Sequence, residues 1–425
     1  MKNIDLMLIS SPANAIDKFM PFSSLYLAGY LEKFGFKISI VNPHFKFIED
    51  NNNFIIEEVK KQNPKYIGFS CFVTDYDVVS DLATIKSDKN ILFIYDNKIN
   101  SKIVNQIYDE LKLSGCNIVK IECVAEKLNK NEKLLFKILD ILLANNFTKK
   151  SIVISLGGGV IGDVSALASN LYLRGLYYIC IPTTMTAIVD SSIGGKTAIN
   201  YKGITNSIGT YYHPKLVFIW DKIIKTLPDR EFLAGIAEVI KCGVIGNKKI
   251  LELLKSNRDQ ILKRKNSLVF KMCYLTLKTK LKFFINDIYE KDKRLSLNFG
   301  HTFAHAIEMA IEQKIKKDYI RHGEAVGIGM LCEIFYEKRK KEKIYKTIKH
   351  LLESYNLPTS LCLKDIPFKK TNLQNSIYKN IFLDKKRLDK CPRYISVKNF
   401  HNTNVKEIQD FDLLNDAITQ IINDK

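Results

Sequence analysis

The 425-residue sequence predicts an α/β fold that gives way to a mostly α-helical second half, with an additional small α/β module in front. An apolar run from Ile152 to Leu156 ends in Gly157, Gly158 and Gly159. It then passes through Gly162-Asp163 into a helical pattern and meets a second apolar run, Tyr177 to Ile181. Strand, glycine turn, helix and strand is the order of a Rossmann-like βαβ unit. The glycines let backbone approach a pyrophosphate, and the helix N-terminus offers it free N–H groups. From about residue 229 onward the apolar period becomes mostly 3.6, with few strand signals. Residues 1 to 88 alternate short strands and helices by themselves. The expected division is therefore an α/β module over 1–88, a dinucleotide-binding α/β domain over 89–228 and a helical domain over 229–425.

In the module, Ile4 to Ile9, Lys37 to Val41 and Tyr66 to Cys71 read as strands. A helix starts at Pro21-Phe22-Ser23-Ser24 and stops at Gly35, and Phe54 to Gln62 and Val78 to Ile85 read as two more. Asn90 to Asp96 opens a new βα series, with Asp96 at a strand end where a carboxylate can take ribose hydroxyls. Ile103 to Leu113 is a helix, Asn117 to Cys123 a strand, and Leu134 to Asn145 the helix that leads to the glycine turn. Beyond the turn, Pro182-Thr183-Thr184 puts two hydroxyls at a strand end. Asp190-Ser191-Ser192-Ile193-Gly194-Gly195-Lys196-Thr197 reads as one short loop carrying an acid, hydroxyls, a glycine pair and a lysine. Lys225-Thr226-Leu227-Pro228 turns the chain into its second half. There Gly235 to Ile245, Ile250 to Leu254, Leu268 to Phe284, Ser296 to Ile311, Glu324 to Lys338 and Tyr345 to Ser354 are helical, and Tyr394 to Val397 is a short strand.

Composition narrows the partners. The net charge is +20, from 65 Lys+Arg against 45 Asp+Glu, but the lysines are scattered and no dense block carries interleaved aromatics. The excess fits solvated helix faces and an anionic small substrate, not nucleic acid. The nine cysteines form no Cys-x-x-Cys and several sit in apolar runs, which suits reduced thiols in a cytosol. No apolar run reaches the roughly 18 residues of a membrane span. A soluble, cytoplasmic protein without a membrane partner is the expectation.

Four residues of the helical half stand out: Glu238 in AGIAEVIKCG, His301 and His305 in NFGHTFAHAIE, and His322 in RHGEAVGIGM. Two imidazoles and a carboxylate make a catalytic metal site with one position left open. Spacing alone does not choose the pair of histidines, since His301 and His305 share a helix face at i, i+4.

These motifs resemble 3-dehydroquinate synthases and, more broadly, the sugar phosphate cyclases, over roughly residues 90 to 400. The resemblance implies a Rossmann-like NAD-binding domain followed by a helical metal-binding domain, in a homodimer. It implies conversion of 3-deoxy-D-arabino-heptulosonate 7-phosphate to 3-dehydroquinate and phosphate. In that chemistry NAD oxidises a ring hydroxyl, phosphate is eliminated, NADH reduces the ketone again, and an aldol step closes the carbocycle. The resemblance assigns Glu238, His301 and His322 to a divalent metal, Zn2+ or Co2+. It assigns NAD to Asp96, Lys130, Gly158, Gly159, Val160, Ile161, Gly162, Asp163, Thr183, Thr184, Asp190, Lys196 and Thr226. Lys196, Lys241 and Asn206 match motif positions, Lys280 and Arg294 match positions that hold the substrate carboxylate, and Asn298 and His305 match phosphate-site positions. Arg174 matches an arginine that reaches into a partner subunit's phosphate site. One lysine of Leu383-Asp384-Lys385-Lys386 matches a phosphate ligand.

Two departures accompany these matches. The family usually carries Gly-Glu-x-x-Lys before the glycine turn. Counted back without gaps, Lys130 falls on the lysine and Glu126 lies one residue early. The family's Gly-Lys-Asn-x-x-Gly appears here with Thr205 in place of its lysine, and Lys202 is the nearby cation that could stand in. In the N-terminal module, Pro21 to Leu31 with Ile67-Gly68-Phe69-Ser70 resembles part of a cobalamin-binding-type domain. It has no Asp-x-His-x-x-Gly and no Cys-x-x-x-Cys-x-x-Cys, so neither cobalamin nor an iron–sulfur cluster is expected there. The rival readings are another sugar phosphate cyclase, an alcohol dehydrogenase like glycerol dehydrogenase that would release NADH, and a degenerate non-catalytic scaffold. Both Lys280 and Arg294 are present. Buried cations without partners are costly, which favours a substrate that brings a carboxylate.

Overall fold

The computed structural model describes residues 6–10, 38–41, 66–70, 90–113, 115–285, 287–315, 319–383 and 391–423. Strands β1 (Leu6–Ser10), β2 (Ile38–Val41) and β3 (Tyr66–Ser70) form a parallel sheet in the order β2-β1-β3. The three strands of the module fall where the apolar runs place them. Its three expected helices lie outside the described residues, as do Asp384, Lys385 and Lys386.

The larger sheet is built from β4 (Asn90–Asp96), helix α1 (Ser101–Leu113), β5 (Asn117–Cys123), α2 (Glu132–Ala144), β6 (Ile152–Gly157), α3 (Gly159–Leu171) and β7 (Tyr177–Pro182), with a short edge strand β10 (Leu216–Val217). Its order is β10-β7-β6-β4-β5 and every pairing is parallel. Parallel strands need covered faces, and the alternation of the runs supplies both. Ile91, Phe93, Ile154, Leu156 and Ile181 meet α1 and Trp220 on one side. Leu92, Ile94, Val153 and Cys180 meet α2 and α3 on the other. After β5 the chain crosses back past β4 to begin β6, so the winding reverses between β4 and β6. Ligands of such sheets bind at that switch, outside the strands' carboxyl ends. Those ends carry Asp96, Gly157 and Pro182.

An antiparallel hairpin follows, β8 (Lys196–Tyr201) and β9 (Ile204–Tyr211). This corrects the reading of Asp190 to Thr197 as one loop. Asp190 and Ser191 end a π-helical turn over Ala187–Ser191, and Lys196 and Thr197 start β8. A short helix α4 (Asp221–Thr226) leads to the helical half: α5 (Asp229–Gly246), α6 (Lys248–Ser256), α7 (Arg258–Leu262), α8 (Asn266–Phe284), α9 (His301–Glu312), α10 (His322–Tyr336), α11 (Lys343–Ser354), α12 (Lys370–Phe382) and α13 (Phe411–Gln420). The expected strand at Tyr394 to Val397 lies within β12 (Arg393–Asn399), which pairs in a hairpin with an unanticipated β13 (Asn402–Glu407). Two short parallel strands, β11 (Leu361–Cys362) and β14 (Ile422–Asn423), pair near the end of the chain. No helix among the described residues is long and apolar enough to cross a membrane.

The expected single helix from Ser296 to Ile311 is two pieces. A 3-10 segment spans Lys293–Asn298, Gly300 turns into the left-handed region at φ 81°, and α9 starts at His301. Continuous apolar spacing hid the break, whose cause is tertiary. At Gly300 a Cβ would stand 2.8 Å from Met330 Cγ and from the Val326 carbonyl, and Gly329 of α10 packs directly on the Gly300 carbonyl. Likewise Gly323 packs on the Ala234 carbonyl of α5. The backbones of α5, α9 and α10 thus meet at contact distance, and this brings Glu238, His301 and His322 together. Gly300→Ala should lower unfolding free energy by at least ~1–2 kcal/mol, the cost of left-handed backbone for a residue with a Cβ. Urea denaturation checks this; an unchanged midpoint would contradict it.

Candidate active site

A cleft of about 1200 Å³ lies between the carboxyl ends of the parallel strands and the helices α5, α8, α9 and α10. Its sheet side is lined by Asp96, Lys130, Gly158, Gly159, Val160, Asp163, Thr183 and Thr184, and by Thr226 at the end of α4. Gly158 precedes α3 with extended backbone, and a Cβ there would stand 2.9 Å from Thr184 Cγ2. Only a glycine leaves this floor open. The Thr183 N–H donates to the Gly157 carbonyl at 2.9 Å, and Thr184 Oγ1 accepts from the Ala187 N–H at 3.2 Å. Asp96 Oδ1 accepts from the Lys98 N–H at 3.0 Å, and burial raises its carboxyl above the ordinary value. Ile161 and Gly162 are in the first turn of α3 but do not line the cleft. The Ile161 side chain is 1% exposed in the sheet core, and the Gly162 carbonyl accepts from Tyr178 Oη at 3.1 Å.

Lys130 is buried and donates to Asp163 at 2.5 Å and to Asn206. Asn206 is held at φ 51° with its N–H donating to Asn200 Oδ1 at 2.9 Å. Thr205 lines the cleft beside it. Lys202 does not replace the missing family lysine: it is exposed, outside the cleft, with Nζ 5.6 Å over the Tyr201 ring. Glu126 is likewise exposed and faces Lys98 at 3.6 Å. Its neighbour Lys127 lines the cleft instead and crosses it to Glu308 at 2.7 Å and Glu312 at 2.9 Å.

The helical side is a set of buried charges. Glu238 on α5 is 1% exposed. Its Oε1 is 3.7 Å from His301 Nε2 and 3.4 Å from His322 Nε2, while Lys241, one turn on, pairs with Oε2. Neither Glu238 oxygen has a hydrogen bond of good geometry. Glu238, His301 and His322 each present a ligand atom within 4.8 Å of the others, as cation ligands would. A second set, His305, Glu308 and His322, meets the same limit and shares His322. Burial opposes a charged His322, but the Glu308 and Glu238 carboxylates outweigh it and push its value up to about 10.

Lys280 on α8 pairs with Asp190 at 2.8 Å and also donates to the Asp190 carbonyl. Burial alone would raise the Asp190 carboxyl, but Lys280 and Lys241 hold it well below the usual range. Arg294 is 2% exposed, donates to the carbonyls of Gly194 (2.7 Å) and Ile288, and stacks 4.7 Å over the Phe284 ring. Lys280 and Arg294 are therefore not the unpartnered cations the sequence suggested, because carbonyls and a carboxylate from neighbouring loops fill their first contacts. A guanidinium has five N–H donors, so Arg294 keeps capacity for an incoming anion.

Sequence reasoning missed Glu290. It stands at φ 56° in a tight turn, lines the cleft, pairs with Lys196 and accepts from Asn298 Nδ2 at 2.5 Å. The signal was Asp287, three residues earlier. Its Oδ1 accepts the Lys291 N–H at 2.7 Å, and its Oδ2 the N–H groups of Asp292 at 2.7 Å and Arg294 at 3.0 Å, which shapes the turn. His305 lines the cleft, its ring 6.0 Å from that of His322. Arg174 is exposed, at φ 60°, and does not line this chain's own cleft.

The family model described as 3-dehydroquinate synthase N-terminal matches residues 120–234, and that described as 3-dehydroquinate synthase C-terminal matches 235–387. The chain is 39% identical over 279 residues to a 3-dehydroquinate synthase of Prochlorococcus marinus subsp. pastoris, covering 64% of this chain and 76% of that one. It is 34% identical over 327 residues to that of Sulfurimonas denitrificans, covering 75% and 88%. Among solved structures, 2-epi-5-epi-valiolone synthase from Streptomyces hygroscopicus, with NAD+ and Zn2+ bound, superposes at TM-score 0.70 with 20% identity, covering 82% of this chain and 95% of that one. A 2-deoxy-scyllo-inosose synthase with carbaglucose-6-phosphate, NAD+ and Co2+ gives 0.67 with 22% identity, covering 81% and 94%. A probable glycerol dehydrogenase from Sinorhizobium meliloti gives 0.53 with 14% identity, covering 80% and 92%.

The Glu238–Lys241 pair makes a forecast independent of any ligand. In chelator-treated protein, Glu238→Ala leaves Lys241 buried with its nearest counter-charge gone, and should cost about 3–5 kcal/mol. Glu238→Leu/Lys241→Met should recover most of that loss. Urea denaturation of the two variants checks it, and equal stability of both would contradict it.

Proposed function

This chain belongs to the 3-dehydroquinate synthase family, and on that premise we propose that its cleft converts 3-deoxy-D-arabino-heptulosonate 7-phosphate to 3-dehydroquinate and phosphate, a phosphate-eliminating lyase reaction. NAD and a divalent cation are its cofactors. The carrying observation is the convergence of two different sites on one cleft: an open glycine floor at the sheet's switch point, and a His2Glu set facing it in which Glu238 and His301 are buried and His322 half-buried.

The residues present fit both groups. Glu238 has buried oxygens without hydrogen bonds of good geometry, with two imidazole nitrogens turned toward them. The floor at Gly158 and Gly159 is open between Thr184 and Asp163, and the volume suits a dinucleotide beside a sugar. When bound, the dinucleotide would take and return a hydride, and the cation, Zn2+ or Co2+, would polarise a ring oxygen as a Lewis acid. Glu238, His301 and His322 would hold the cation. Asp96, Thr183, Thr184, Lys130 and Asp163 would hold the dinucleotide, with the N–H groups of the first turn of α3 facing its phosphates.

The chain's own side chains then set where protons and charges go. Lys196, Lys241, Lys280 and Arg294 line the cleft together with Asp190 and Glu290, and Lys241 is paired with Glu238 behind it. An anionic substrate enters a preorganised field, not one it must rearrange. Arg294 and Lys280 would take the substrate carboxylate, the arginine through its planar fork. Asn298 and His305 would face the phosphate, with His305 able to hand a proton to the leaving oxygen. Glu290, between Lys196 and Asn298, is a carboxylate placed to accept a proton. Exposed Arg174 suits delivery to a partner's cleft in a homodimer.

Phosphate release from the heptulosonate phosphate, with NAD far below substrate concentration, tests the reading. One phosphate per substrate consumed is expected, without net absorbance gain at 340 nm. NADH accumulation, or no phosphate release, would overturn it. Metal analysis should show about one divalent ion per chain, lost in His301→Ala/His322→Ala and retained in His305→Ala. Retention in the double variant would contradict the ligand set.

A further inference from the structure

Lys127 stands three residues before Lys130, where the family motif places its acid. It begins a single 3-10 turn over Lys127–Asn129, between β5 and α2 on the sheet side. Its Nζ crosses to α9 and meets Glu308 Oε1 at 2.7 Å and Glu312 Oε1 at 2.9 Å. The other oxygen of Glu308, Oε2, lies 3.2 Å from His322 Nδ1, and His322 Nε2 lies 3.4 Å from Glu238 Oε1. An unbroken line of contacts therefore runs from the sheet side of the cleft to the buried donor set.

Glu308 stands at a fork. It belongs to the alternative donor group His305, Glu308 and His322, which shares one imidazole with Glu238, His301 and His322. A Glu308 oxygen held by an ammonium group is a weaker, differently aimed ligand for a cation. A hydrogen bond to one ring nitrogen of a ligating histidine also fixes its tautomer and aim.

We propose that Lys127 is a positioning residue that selects between these two overlapping cation sites. By holding Glu308 Oε1, it keeps Oε2 on His322 Nδ1, so that Nε2 points to Glu238 and the cation settles in the Glu238–His301–His322 set. Without the ammonium group, Glu308 is released as an anionic ligand and the cation is drawn toward His305. The inference rests on the ligand set proposed above and deepens it, since the cation at position 127, where the family carries an acid, acquires a role at the metal.

The test uses full-length protein loaded with Co2+, whose visible absorption reports ligand number and type, and chelator competition for affinity. Unsubstituted protein and Lys127→Arg should share one spectrum. Lys127→Met and Lys127→Gln should shift it and change Co2+ affinity by roughly 10–100-fold, the usual effect of removing an outer partner. Lys127→Met/Glu308→Gln should return the spectrum toward the unsubstituted one, because an amide oxygen still accepts from Nδ1–H but is a poor anionic ligand. A spectrum and affinity unchanged in both Lys127→Met and Lys127→Gln would overturn this inference alone. Absence of any cobalt band in unsubstituted protein would overturn the ligand set as well.

Discussion

A carboxylate and an ammonium group, Glu238 and Lys241, are each 1% exposed one turn apart on α5, and the rest of the structure depends on tolerating them. Charges taken from water cost several kcal/mol each unless their surroundings answer them. The answer here is supplied from other elements: His301 from α9, His322 from α10 and Asp190 from the turn before β8. Those elements can close in only where side chains are absent, which is why Gly300, Gly323 and Gly329 sit at the crossings. Packing in this half is therefore inseparable from the placement of the donor set.

The cleft continues this pattern as alternating charge. Lys130 answers Asp163, Lys280 answers Asp190, Lys196 answers Glu290, and Lys127 answers Glu308 and Glu312. Such pairs hold long side chains in place before a ligand arrives, which lowers the ordering cost of binding. They also set a limit on acidity. Asp190 has its folded value depressed by Lys280 and Lys241 against the effect of burial, so its stabilising contribution is present above the ordinary carboxylate value. That contribution disappears as pH falls through the folded one.

Much of this was legible in the sequence, for identifiable reasons. Most strands of the parallel sheet are largely apolar runs, β5 alternating instead with Lys120 and Glu122, and Gly157 to Gly159 end the strand beside the sheet's switch point. Glu238, His301, His305 and His322 stood out together in part because histidine is scarce, at seven in the chain, and the family resemblance chose among them. What was hidden depends on contacts between distant segments. The break at Gly300 is tied to its packing on Val326 and Met330 of α10, distant in sequence, within an apolar pattern that reads as one helix. Glu290 carries no motif signal, and it reaches Lys196 and Asn298 only through the turn that Asp287 shapes. Glu126, one residue early by the motif, is exposed, and the motif position is held by Lys127, whose partners Glu308 and Glu312 lie far along the chain on α9.

The proposed function makes one claim above the others: Arg294, which has donors beyond its two carbonyl contacts, takes the carboxylate of a sugar phosphate substrate. Comparing kcat/KM for the carboxylated heptulosonate phosphate and for sedoheptulose 7-phosphate, in unsubstituted protein and in Arg294→Ala with its folding verified, tests that claim most directly. The carboxylated substrate should be preferred, and Arg294→Ala should lower its kcat/KM by about 10–100-fold, the worth of one charged hydrogen bond. The variant should leave the value for sedoheptulose 7-phosphate nearly unchanged. Preference for sedoheptulose 7-phosphate, or an Arg294→Ala variant with unaltered kinetics on the carboxylated substrate, would contradict it.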